Sequence, residues 1–261
     1  MREILEAVAA GELSVAAAEA ELSGYATDEA GRFDAARETR RGVPEAILGE
    51  GKTPEEVASL AATAVATAGR ALITRTDGDH RAAVRERLAD EHPDAELTIH
   101  GRSGAVVAHA DGFETPDVDA TVGVVTAGTS DAVPAGEAAV VAAEMGANVE
   151  RVDDVGVAAL TRIVDQLEDL READALIVAA GREGALPTVV AGLVSAPVIG
   201  LPVSAGYGFG GEGEAALAGM LQSCTVLSVV NVDAGFVAGA QAGLVARAVG
   251  GARSGADGDS E

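Results

Sequence analysis

The sequence contains one cysteine, one lysine, no tryptophan, and only two tyrosines and four phenylalanines. A single thiol, Cys224, rules out an internal disulfide and a four-cysteine zinc site, and it fits a reducing, cytoplasmic setting. No run of eighteen apolar residues is free of charges or turn residues, so no membrane-spanning helix is expected, and no membrane partner. The opening MREILEAVAAGELS reads as an amphipathic, partly acidic helix and not as a signal peptide. Basic residues are scarce: 18 Lys and Arg stand against 42 Asp and Glu, a net charge of −24. Nucleic-acid binding needs a basic patch to meet phosphates, and none is visible.

What remains is small, apolar and acidic. At 261 residues the chain can bury a sizeable core in two modest domains. Alanine, valine and glycine replace bulkier apolar residues, and the acidic groups are spread along the whole length. Such a surface stays solvated where salt screens its self-repulsion, and a halophile's cytosol is the expected setting.

In chain order, residues 2–22 have helical spacing of apolar positions. Pro44 is placed to open a short helix. Thr53, Pro54 and Glu56 form the signature of a capped helix start. Arg37, Arg40, Arg41 and Lys52 cluster here. They are either surface ion pairs of little individual weight or an anion site for phosphate or carboxylate. Ala71 to Arg75 reads as a strand, Asp79 to His92 as a helix, and two strands around Gly101 to Gly104 as a hairpin. All four histidines (His80, His92, His100 and His109) fall in this half, with no metal-ligand spacing. Asp111 to Ala120 has a linker's composition.

Beyond it strands and helices alternate. Thr121 to Gly128, Asn148 to Val152, Ala175 to Ala180, Pro197 to Val203 and Thr225 to Val230 read as strands. Pro134 to Gly146, Gly156 to Ala173, Leu186 to Val194, Gly213 to Gln222 and Phe236 to Val249 read as helices. The fold class is α/β: a three-layer, flavodoxin-like parallel-sheet domain at 118–250, preceded by a smaller helical plus α/β domain with linker at 1–117. A disordered tail is expected at 251–261. Parallel sheets bind ligands at the carboxyl ends of their strands, so those loops are the candidate site.

Thr126, Gly128, Thr129, Ser130 and Asp131 follow the first of these strands, and Asp131 can hold a ribose hydroxyl or merely cap a helix. In GREGALP, Gly181 and Gly184 allow close approach to a ligand. Glu183 there can bind ribose, act as a general base, or simply sit solvated at a helix start. Gly206, Gly208, Gly210 and Gly211 lie in GYGFGG, with Asp233 about twenty residues on. This loop follows a late strand, so a mobile lid is the more economical reading than a dinucleotide fingerprint. Cys224 follows a helix in QSC and is either a buried small hydrophobe or a nucleophile.

TAGTSD, DVGVAALTR, AAGREGALPTVVAGLV, PVIGLPVSAGYG, MLQSC and VVNVDAGF, with RRGVPEAILGEGKTPEEV before them, resemble the LarB family of pyridinium-3,5-biscarboxylic acid mononucleotide synthases. The likeness covers roughly residues 30–250 in order. The C-terminal part is also similar to PurE, the carboxyaminoimidazole ribonucleotide mutase. PurE, however, has a histidine where Ala185 stands and lacks the first hundred residues, which disfavours purine carboxylation. The LarB resemblance implies the first step of nickel-pincer cofactor synthesis. In that step nicotinic acid adenine dinucleotide takes up carbon dioxide or bicarbonate on its pyridinium ring and is hydrolysed to release AMP. It implies Cys224 as covalent catalyst, Glu183 beside the ribose, Thr126, Ser130 and Asp131 on phosphate and ribose, and the 206–211 loop closing over them. It further implies assisting Mg2+ with no nickel bound at this step, and a homo-oligomer, an octamer by likeness to PurE. The alternatives are an aminoimidazole ribonucleotide carboxylase and a non-catalytic adenine-nucleotide-binding protein.

Overall fold

A computed structural model of the chain describes residues 2–11, 13–27 and 30–258. It divides into two compact units, Met1–Glu114 and Thr115–Glu261, close to the boundary expected from the linker.

The first unit begins with α1 (Arg2–Ala10) and α2 (Val15–Ser23), the short strands β1 (Ala26–Thr27) and β2 (Arg32–Phe33), and α3 (Arg37–Arg41). Pro44 does not open a helix. The residues after it form β3 (Ala46–Leu48), paired in parallel with β4 (Arg70–Thr74), so a long-range ladder overrides the local proline signal. Between them α4 (Pro54–Ala68) starts as expected: Thr53 accepts from the Glu56 amide, and the Glu56 side chain accepts from the Thr53 amide. After α5 (Gly78–Glu91), the hairpin β5 (Glu96–His100) and β6 (Ala105–His109) completes a four-stranded sheet in the order β3-β4-β6-β5. Three of the four histidines make structural contacts. His80 closes a capping box with Asp77, His92 bonds the Ala62 carbonyl, and His109 stacks on Phe113.

The second unit is a five-stranded parallel sheet of β7 (Val118–Thr126), β8 (Ala147–Val152), β9 (Ala175–Ala180), β10 (Val198–Pro202) and β11 (Ser228–Val229). Its order, β11-β10-β9-β7-β8, is the flavodoxin-like one. Alternate residues of β9 face opposite layers. Ile177 and Ala179 pack with α6 (Ala132–Glu144) and α11 (Gly235–Gly258), and Leu176 and Val178 with the helices of the other face. Small residues let α6 and α11 close on each other, since a Cβ at Gly239 would stand 2.4 Å from the Ala138 carbonyl oxygen.

Three expectations change. The helix read from Gly156 to Ala173 is broken into a short 3-10 turn, α7 (Thr161–Val164) and α8 (Leu167–Glu172), with the turn residues Asp165 and Gln166 between the last two. The last strand is only two residues long. The expected tail is helical through Gly258, because Arg253 on α11 pairs with Asp174 and donates to the Asp119 carbonyl; residues 259–261 lie outside the described residues. Burial alone would raise the Asp174 carboxyl's pKa, but the Arg253 guanidinium and the Thr121 amide together hold it below its ordinary value. On α9 (Ala185–Ala191) and α10 (Glu214–Leu221) the expected helices are present with shifted ends.

Candidate active site

The carboxyl edge of the parallel sheet is tied together by side chains from successive strands. Buried Thr126, ending β7, donates its hydroxyl to Asp153 at 3.0 Å and accepts the Asp154 amide at 3.1 Å. Asp233, after β11, accepts the Ser204 amide at 3.0 Å, so its carboxylate fastens the ends of β10 and β11 to each other. Among the described residues of this unit, four that are not glycine adopt left-handed backbone: Asp154, Arg182, Glu212 and Asp233. Three of them, Asp154, Arg182 and Asp233, come shortly after strands. Left-handed backbone in such residues is a strained choice that concentrates where a fold positions a site.

Asp131 caps its own turn. It is buried, and its Oδ2 accepts the Gly128 amide at 2.8 Å while Oδ1 faces the Ser130 hydroxyl. Burial pushes its carboxyl up from the ordinary value against those hydrogen bonds. Thr129 and Ser130 are exposed on the same turn.

A cavity of about 360 Å³ opens beside this edge, between the GREGALP turn and the glycine loop. Glu183, Gly206, Gly208, Gly210 and Gly211 line it, and Arg182, Tyr207 and Phe209 join them. Gly181 and Gly184 lie behind it as packing glycines. A Cβ would come within 2.5 Å of the Ala205 carbonyl oxygen at Gly181, and within 2.4 Å of the Ala216 carbonyl oxygen at Gly184.

The two halves of the chain match two family models. Residues 25–106 match the LarB/PurE-like N-terminal domain, and residues 121–256 match AIR carboxylase. An uncharacterized protein of Methanocaldococcus jannaschii is 36% identical over 224 residues, covering 83% of this chain and 84% of that protein. The chain belongs to the LarB family. This pairing of domains supports a carboxylase-type enzyme.

Within this LarB-family chain, Cys224 is not among the residues lining the cavity. It is exposed on the turn after α10, before β11. In a parallel sheet, a residue that follows a helix and precedes a strand lies at the amino edge, opposite the loops that hold Glu183. The neighbouring Thr225 approaches Gly192, which ends α9, whereas the cavity lies by Gly184, which begins it. Seven residues of α9, about 10 Å of helix, separate those two glycines. Cys224 and Glu183 of one chain therefore lie at opposite edges of the sheet.

The basic cluster of the first unit is absorbed locally. Arg37 pairs with Glu45 at 2.5 Å, Arg40 with Asp34 at 2.7 Å, and Lys52 donates to the Leu48 carbonyl, while Arg41 stands exposed at the end of α3. Arg37 and Arg40 are thus engaged in ion pairs, Lys52 in a bond to a backbone carbonyl. Among the described residues no three His, Cys, Asp or Glu side chains converge to hold a metal. No described helix is long and apolar enough to cross a membrane. Sequence reasoning passed over Arg182, Tyr207 and Asp153. Arg182 and Tyr207 stood inside motifs whose glycines and glutamate drew the attention, and Asp153 carried no local signal.

Proposed function

We propose that this chain carboxylates the pyridinium ring of nicotinic acid adenine dinucleotide and hydrolyses its phosphoanhydride, releasing AMP and pyridinium-3,5-biscarboxylic acid mononucleotide. The observation that carries the reading is the exposure of Cys224. A lone cysteine is ordinarily a buried small hydrophobe, and this one is open to a substrate.

The ring chemistry asks for such a group. A pyridinium carbon is electron-poor and cannot attack carbon dioxide. Addition of the Cys224 thiolate at the carbon para to nitrogen forms a C–S bond and leaves a neutral dihydropyridine, whose free meta carbon is nucleophilic. That carbon attacks carbon dioxide, forming the new C–C bond. Loss of its proton to a base and departure of the thiolate restore the aromatic pyridinium. Glu183 binds the adjoining ribose. Separately, water adds to the phosphoanhydride and AMP leaves.

Because one chain's cavity lacks the thiol, the mechanism requires a homo-oligomer in which a second copy supplies Cys224. Two exposed apolar surfaces suit that contact: Leu221 and Val226 beside Cys224, and Tyr207 and Phe209 at the cavity rim. Two copies that exchange thiols across a two-fold axis satisfy this requirement, as does a closed head-to-tail ring. The purine alternative loses support because Ala185 occupies the histidine's place, and all four histidines lie in the first unit.

The test is incubation of the purified chain with the dinucleotide and carbon-13 bicarbonate in molar salt, followed by mass spectrometry. Labelled dicarboxylated mononucleotide together with AMP is expected. AMP without label uptake, or an unchanged dinucleotide, contradicts the proposal.

A further inference from the structure

We infer that Arg182 is the phosphate-binding residue of this cavity and that Tyr207 is the positioning residue that holds its guanidinium in place. The inference rests on the nucleotide reading above and deepens it by assigning the substrate's anionic group to a specific side chain.

Three observations converge. First, among the described residues Arg182 is the only cation lining the cavity and pairs with no carboxylate. That separates it from the chain's ion-paired arginines. Arg37, Arg40, Arg75, Arg87, Arg151 and Arg253 each meet an Asp or Glu within 3 Å. With net charge −24, a phosphate approaching the cavity is repelled by the chain as a whole, so it needs local positive charge.

Second, Arg182 has φ +53, a left-handed backbone that strains an ordinary side chain and costs glycine little. A third glycine in the GREG turn would suit this position's backbone better. The arginine is thus a local disadvantage unless its side chain is used.

Third, the Arg182 guanidinium carbon stands 4.4 Å from the centroid of the Tyr207 ring. Tyr207 is 82% exposed, so its ring is spent on this contact and not on the core. An aromatic ring over the flat face of a guanidinium leaves the in-plane N–H donors free. Those donors form the fork that matches two phosphate oxygens. Tyr207 belongs to the glycine loop and Arg182 to the turn after β9, so the stacked pair also joins the two walls of the cavity.

The experiment is calorimetric titration of the full chain, in salt that keeps it folded, with nicotinic acid mononucleotide and with nicotinic acid riboside, which lacks the phosphate. Arg182→Met should weaken mononucleotide binding about tenfold or more and leave riboside binding unchanged. Arg182→Lys should fall between, because it keeps the charge and loses the fork. Tyr207→Phe should match the wild type, whereas Tyr207→Leu should weaken only the mononucleotide, about threefold. Unchanged mononucleotide binding by Arg182→Met, or equal loss of both ligands, overturns the inference and leaves the proposed reaction standing. Failure of the wild type to bind either ligand overturns both.

Discussion

Two glycine-rich segments border the cavity, and they use glycine for opposite reasons. In GREGALP the glycines are where backbone presses on backbone: Gly184 combines φ +66 with a 2.4 Å approach to the Ala216 carbonyl oxygen. In the 206–211 loop, Gly208 has φ +91 and nothing within 4 Å of where a Cβ would be. The first wall is locked against α10; the second is open at Gly208, and it is held at Gly210, where a Cβ would stand 2.9 Å from the Ala215 Cβ, and by the Arg182–Tyr207 stack. A site with one fixed wall and one adjustable wall can hold a ribose rigidly while the other side closes over the rest of a dinucleotide. Sequence alone displayed both segments as glycine clusters, and only the packing separates them.

The contrast is broken most severely by alanine at the two positions. Gly184→Ala should destabilise the chain by about 3 kcal/mol, from left-handed strain plus overpacking. Gly208→Ala should cost about 1 kcal/mol, from strain alone. Denaturant midpoints measured side by side check the difference, and equal effects would erase the distinction between the walls. A smaller effect sharpens the role of the neighbouring turn. Asp131→Asn keeps an acceptor for the Gly128 amide and removes a buried charge, so nucleotide binding should persist and stability at neutral pH should change by less than about 1 kcal/mol. The pH dependence has a defined sign. A carboxyl whose folded pKa is raised favours folding most below its unfolded value near 3.8, and that contribution is lost as pH rises through the raised one. The asparagine variant has no such loss. Relative to the wild type it should therefore gain stability as pH rises through that window, read from melting temperatures between about pH 3 and 7. Loss of nucleotide binding instead would make Asp131 a ligand contact.

Much of this was legible in the residues. The buried run Ala175 to Ala180 is β9 as read, and the Thr53 capping box is present, because both signals are local. Pro44 misled because helix-start chemistry was weighed without the partner strand: Ile47 lies opposite Ile73 in a parallel ladder that no local window contains. The glycine-rich end read as disorder is helical for the same kind of reason, since Arg253 reaches Asp174, 79 residues away. The position of Cys224 is a different lesson. Its place after a helix and before a strand already assigned it to the amino edge, and nearness in sequence to the glycine loop concealed that. Arg182 stayed hidden because a left-handed φ and a stacked tyrosine are properties of the folded chain.

The central claim is that the thiol of one copy works in the cavity of another. Coexpressing Cys224→Ser and Glu183→Gln chains with different tags, and purifying assemblies that contain both, tests it directly by carbon-13 uptake into the dinucleotide. Each variant alone should be inactive, and the mixed assembly should recover about a quarter of wild-type activity, because random pairing leaves that share of sites with both groups intact. No recovery in mixed assemblies, beside an active wild type, would show that both groups must lie on one chain and would contradict the account.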